Sequence, residues 1–253
     1  MSFFGLDVVA SHEAARNVEV ADGVFIERRS ILWLSVGAIG ALLTVGSALR
    51  AQTPQGKAKS QGLTFDEFLA DMLPHARRVV ASKGQDEEAY LMNAAAALSR
   101  LRNPGAPLRK TMKAFRQQHH QDGKRFPLMA VSMQLKPGRG FKHHDHLDYN
   151  GVILGVEGEL RIRNFDIVGE APPIEEKRKT FAIRQTRDDL ILPGRFSTLG
   201  RNRDNIHELV AGKSGARVLD VFTFFEQRAT SRFLSVEEKP RDPEARIYDA
   251  SWR

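Results

Sequence analysis

Apolar positions recur at helical spacing between residues 64 and 102, and from Phe126 onward they recur at every second residue. Thr64 and Glu67 have the spacing of a capping box, so a helix should start there. Phe65, Phe68, Leu69, Met72 and Leu73 give it one apolar stripe, and Pro74 should kink it. A second helix is expected from about Asp86 to Arg102, with Leu91, Ala94, Leu98 and Leu101 on one face and Asn103-Pro104-Gly105 as its stop. The two should form a hairpin packed on the strand-rich region beyond Phe126. There, Met129, Val131, Met133 and Leu135 alternate with Ala130, Ser132 and Gln134, the mark of a half-buried strand that Pro137-Gly138 ends. Residues 152–156, 160–167, 181–183, 190–192, 206–210 and 217–225 are further short strands, divided by turns at Gly155, Gly158, Pro172-Pro173, Pro193-Gly194 and Gly212. Many short strands with close turns predict a mainly β sandwich or barrel, not an α/β fold.

That pattern divides the chain into residues 64–124, a helical region, and 125–226, a barrel. Residues 227–253 are charged and proline-bearing and should wrap the surface as a C-terminal arm. Ahead of the helices, residues 52–63 read as a polar linker. Residues 1–51 carry a different signal. Arg28-Arg29 precede a 19-residue uncharged run from Ile31 to Leu49. A twin arginine before a moderately apolar stretch resembles a Tat export signal, and the run is also long enough to anchor in a bilayer. Either way the arginines hold the N-terminal flank inside, which predicts a periplasmic location, the Tat machinery as a partner and membrane contact through this segment alone.

Composition changes this picture little. Hydrophobic and charged fractions of 42% and 27% are those of an ordinary globular protein. The net charge of +7 is dispersed, with no basic stripe interleaved with aromatics, so no nucleic-acid partner is expected. The absence of cysteine excludes disulfides, thiolate ligands and a cysteine nucleophile.

Histidine placement does change the picture. Three of the eight histidines, His143, His144 and His146, fall within four residues, and His207 lies near the end of the strand-rich region. Residues i and i+2 of a strand share a face, so His144 and His146 can aim at one point while His143 and Asp145 face away. His207 from a neighbouring strand would complete a set of three imidazoles with open positions, suited to iron, zinc, copper or nickel. His75, His119 and His120 read as solvated surface. Asp220 shares a strand face with Val218, Phe222 and Phe224, where a carboxylate is costly unless paired or protonated.

The histidine pair follows Pro137-Gly138-x-Gly140 and precedes Gly155-Val156-Glu157-Gly158-Glu159-Leu160, which resembles the first motif of the cupin family; Pro193-Gly194 with His207 loosely resembles the second. The resemblance implies a double-stranded β-helix (jelly-roll) barrel. Most metal-binding cupins place a glutamate four or five residues beyond the second histidine, whereas this chain has Asn150 and Gly151. Asp148 is the nearest acid and reads as a flanking or surface residue. A cupin with three histidines and no glutamate resembles the thiol dioxygenases, most of all the branch of cysteamine dioxygenase and the plant cysteine oxidases. His144-Asp145-His146, the strand ending Asn164-Phe165-Asp166, Asn205-Ile206-His207 and Val218-Leu219-Asp220-Val221 follow that branch's order over residues 125–226. Its later double proline and tyrosine are replaced by Thr223-Phe224-Phe225, and no Cys–Tyr crosslink can form. The resemblance implies Fe(II) on His144, His146 and His207, Asp220 in a catalytic supporting role, and oxidation of a small thiol or N-terminal cysteine by O2 to a sulfinate. Two other readings remain open: a different cupin metalloenzyme, such as a dioxygenase or isomerase using manganese or zinc, and a non-enzymatic binding or sensing module.

Overall fold

The computed structural model describes residues 62–102, 108–121 and 123–253. The expected export signal, and the linker up to residue 61, lie outside them. Among the described residues no helix is long and apolar enough to cross a membrane.

Helix α1 (Phe65–Ala81) begins as predicted. The Thr64 side chain accepts from the Glu67 N–H at 3.2 Å, and the Glu67 carboxylate accepts from the Thr64 N–H at 2.7 Å. The helix continues through Pro74 as one element, so the proline does not end it. Thr64→Ala should therefore cost about 1 kcal/mol of stability, read as a lower urea midpoint with unchanged slope. Helix α2 (Glu87–Leu98) starts after Asp86, whose φ of 61° turns the chain back on α1, and stops before the expected Arg102.

The expected two-helix hairpin is in fact three helices. Helix α3 (Leu108–His119) buries Leu108, Met112 and Phe115, spaced four and three residues apart. Its signal is in the sequence but is masked by the charged residues around it. All three helices contribute to one apolar cluster with Leu128, Ala130, Val152, Leu154, Val156, Leu219 and Val221 of the sheet. The helices thus cover one face of the sheet and leave its other face to the barrel interior.

The chain is mainly β, with eight antiparallel strands: β1 (Leu128–Leu135), β2 (Gly140–Leu147), β3 (Tyr149–Val168), β4 (Phe181–Ile191), β5 (Phe196–Leu199), β6 (Ile206–Phe224), β7 (Thr230–Val236) and β8 (Ile247–Trp252). Their order is β1-β6-β2-β7-β8-β4-β3-β5, and β3 also pairs with β6. That extra pairing closes a circuit β6-β2-β7-β8-β4-β3, giving the cupin-type double-stranded β-helix barrel. Several expected short strands merge. Residues 152–156 and 160–167 are one strand, β3, which passes Gly158 with register shifts against β6. Residues 206–210 and 217–225 likewise become β6. Two-residue periodicity does not show where a long strand bends, so each half was legible and the join was not.

β1 also differs from the simple half-buried reading. Leu128 and Ala130 are its buried residues, under the helices, while Met129 and Val131 are only half-buried. The C-terminal segment is not an arm. It supplies β7, which pairs with β2, and β8, which pairs with β7 and β4.

Candidate metal centre

β2 must lie against β6 for the histidines to meet, and Gly140 allows it. A Cβ at that position would collide with the Leu209 carbonyl. In the resulting register His144 stands opposite His207. Strand alternation then brings His146 to the same face. The three ligand-capable nitrogens lie within 4.8 Å of one another, and among the described residues no other group of three or more such side chains does. The imidazole centroids are 4.5 Å apart for His144 and His207, 4.7 Å for His146 and His207, and 5.2 Å for His144 and His146.

Hydrogen bonding decides what these rings present. His144 Nδ1 lies 2.8 Å from the Lys142 carbonyl, which can only accept, so Nδ1 carries the proton and Nε2 the lone pair. That Nε2 is 3.0 Å from His207 Nε2. His146 Nδ1 is buried with no partner. Burial pushes all three rings below the ordinary histidine range, His146 and His207 furthest, and for these two the repulsion of neighbouring rings pushes the same way. Three neutral imidazoles crowded together, with an orphaned ring nitrogen among them, are a donor set that fits a divalent metal ion.

The surroundings hold the rings in place. Asn205 grips the His146 backbone from both sides: its Oδ1 accepts from the His146 N–H at 2.8 Å and its Nδ2 donates to the His146 carbonyl at 3.1 Å. Tyr149 stacks on His146 with centroids 4.2 Å apart and planes 13° apart, and its hydroxyl is hydrogen-bonded to Ser231 of β7. Between His144 and His146 on β2, Asp145 faces the other way, as alternation requires. It is 2% exposed, forms a two-nitrogen ion pair with the Arg232 guanidinium and accepts from the Arg232 N–H at 3.0 Å. Arg232 in turn lies over the Trp252 ring at 4.5 Å. Asn205 was visible in the sequence only as part of a motif. Tyr149, Ser231 and Arg232 left no signal, because their roles depend on which strand lies beside β2.

Gly151 and Phe222 are cross-strand partners, and a Cβ on Gly151 would stand 3.2 Å from the Phe222 ring. Phe222 itself lies edge-on to His146 at 6.0 Å. The space beside Gly151, on the side of the three histidines, is thus taken by an aromatic ring. Asn150, its neighbour, donates to Glu87 of α2 at 2.8 Å and so belongs to the helix contact. Asp148 is not aligned with His146. The strand ends at Leu147, and Asp148 turns with φ 60°.

Asp220 stands between Val131 and Ile153 in the sheet, on the strand face of Phe222, and is 3% exposed. It lies outside the three-histidine cluster. Burial holds its carboxyl well above the ordinary range, opposed by a backbone hydrogen bond from Val221. Burial also pushes the Tyr149 phenol up, and the Asp220 carboxylate adds to the rise while the Ser231 bond opposes it. A carboxyl whose folded value lies above its unfolded value of about 3.9 favours the fold fully below that pH. The contribution is lost as pH rises through the folded value. Asp220→Asn, which stays neutral, should remove that loss, so urea midpoints measured from about pH 4 to 9 should fall less steeply for the variant.

His143 faces away from the cluster, 3.8 Å from Glu208, and burial pushes its ring down to about 4. His75, His119 and His120 join no ligand cluster.

No family model and no curated protein matches the chain. Among solved structures, an 11S allergen from Cocos nucifera is 12% identical, with a TM-score of 0.31, over 42% of this chain and 24% of that one. An 11S globulin from Wrightia tinctoria is 15% identical, with a TM-score of 0.31, over 42% and 22%. A recombinant oxalate oxidase in complex with glycolate is 17% identical, with a TM-score of 0.31, over 42% and 46%. The chain therefore spans less than half the length of each of these proteins.

Proposed function

We propose that this chain is an Fe(II)-dependent thiol dioxygenase, converting a small thiol or N-terminal cysteine and O2 to a sulfinate and a proton. The observation that carries the reading is a buried cluster of three histidines that includes no carboxylate and has the Phe222 ring beside it. His144, His146 and His207 would hold the iron. Without a carboxylate, the ligand set leaves the ion its full double charge, which favours a thiolate over a thiol. Bound there, Fe(II) supplies the redox chemistry by which both atoms of O2 pass to sulfur.

The chain's own residues would order the reactants. Phe222, Tyr149 and Phe233 give the site apolar walls, with Phe233 5.5 Å from His144 and 37% exposed. Asp220 would sit beneath them as a hydrogen-bonding group for the substrate's amine. Purified protein reconstituted with Fe(II) should consume O2 and form equimolar sulfinate from cysteine, cysteamine or a peptide with N-terminal cysteine. Stoichiometric zinc or manganese in the native protein, with no O2 uptake on any of the three thiols, would sink the reading.

The reading includes the periplasm as the place of action, reached through the Tat machinery, which carries proteins already folded around their metal. Replacing Arg28 and Arg29 together with lysine should leave the protein in the cytoplasm, as cell fractionation would show.

A further inference from the structure

A cavity of about 470 Å³ opens on the face of β2 and β6 opposite the three-histidine cluster. Its wall begins at His143 and Glu208, each one residue from a metal-centre histidine and turned the other way by strand alternation. Phe165, Leu234 and Tyr248 form apolar sides. We propose that this cavity binds a small zwitterion of the amino-acid class whose side chain both donates and accepts hydrogen bonds.

Two features carry the assignment. The first is an unsatisfied floor. His143 is nine-tenths buried, and its Nε2 has no partner. Its Nδ1 is 3.8 Å from Glu208 Oε1, too far for a hydrogen bond. Arg163 is committed to the other carboxylate oxygen, Oε2. With Nε2 fully covered, the floor offers a ligand the Nδ1 edge of the ring and a carboxylate oxygen, 3.8 Å apart and not bonded to each other, and buried groups of this kind take partners. A side-chain amide has both the donor and the acceptor required.

The second feature is the rim. Lys142 and Arg253 line the cavity beside Glu237 and Glu238, and none of these four side chains forms an ion pair or hydrogen bond among the described residues. Two cations and two carboxylates left unpaired around one opening match a ligand carrying one charge of each sign. An anion alone would meet Glu237 and Glu238, and a cation alone would meet Lys142 and Arg253.

The inference goes beyond the dioxygenase reading and does not depend on it, so the test uses the full chain without added metal. Isothermal titration with L-glutamine should give saturable binding. N-acetyl-L-glutamine lacks the ammonium, L-glutaminamide lacks the carboxylate, and L-norleucine lacks the side-chain amide; each should bind about ten-fold more weakly. Lys142→Met and Glu238→Gln change exposed rim side chains, and each should weaken L-glutamine about five-fold without moving Tm. Three results would overturn the proposal: no saturable heat with L-glutamine, any of the three analogues binding as tightly, or rim variants that bind normally. The first would mean that water alone satisfies the floor.

Discussion

Replacing His207 with alanine should remove metal binding while leaving a folded barrel. The wild-type chain should hold one Fe(II) or Co(II) per molecule. The variant should bind at least about 100-fold more weakly, since loss of an outer partner alone costs roughly 10–100-fold and this change removes a ligand. The physical reason is the geometry of β2 against β6. His144 and His146 sit on one strand, and only His207 closes the set from the other. Oxygen uptake with thiols should vanish with the metal. Metal analysis after gel filtration, with circular dichroism as the check on folding, reads both. His143→Ala should leave stoichiometry unchanged, because His143 faces the other side of the sheet. A His207→Ala protein that kept its metal or its oxygen uptake would remove the basis of the proposed function.

The second large effect is expected at Arg232→Ala. Asp145 is buried between two candidate ligands, and the Arg232 guanidinium is its charged partner. Breaking a buried pair from one side typically costs about 3–5 kcal/mol, because the remaining charge is stranded. The Arg232 side chain is 25% exposed, which places the expectation at the low end, about 3 kcal/mol. For a chain of this size that is a fall in Tm of roughly 6–12 °C. The pH dependence has a definite sign. Burial already holds the Asp145 carboxyl above its ordinary range, with Arg232 pulling it down. Losing Arg232 raises it further, so the variant's deficit should grow as pH rises through the carboxyl's range and shrink on acidification. Asp145→Asn should restore much of the stability when added to Arg232→Ala, because the stranded charge is gone. If the double variant is as unstable as the single one, the cost lies instead in the packing of Arg232 over Trp252. Because the pair also anchors β2, metal affinity should weaken about ten-fold in the single variant.

Much of the candidate centre was legible in the residues themselves. An H-x-H pair in a strand puts two rings on one face, and the Gly140 turn and the distant His207 supplied the remaining parts. Asp145 and His143 were correctly expected to face away, because alternation is a local property of any strand. The capping box at Thr64 and Glu67 was equally local, and it formed as written.

What failed was non-local. The segment after residue 226 looks like a charged arm, yet β7 contributes Ser231 to the Tyr149 hydroxyl and Arg232 to Asp145. Nothing in a charged, proline-bearing sequence states that it will be the strand beside the histidines. The third helix was hidden for a different reason: three apolar residues are a weak signal until the sheet surface they cover is known.

By itself, then, the sequence determined the period of the first two helices and of the strands up to residue 225, the opposite faces of His143 and of the His144–His146 pair, and the absence of a carboxylate at Gly151. Each of these follows from side-chain type and local spacing. Only the tertiary structure decided that His207 stands opposite His144 and that Phe222 occupies the place beside Gly151. The same holds for Tyr149, stacked on the His146 ring, and for the cavity on the other face of β2. Those outcomes depend on the register between strands far apart in the chain, and register is set by the packing of the whole barrel.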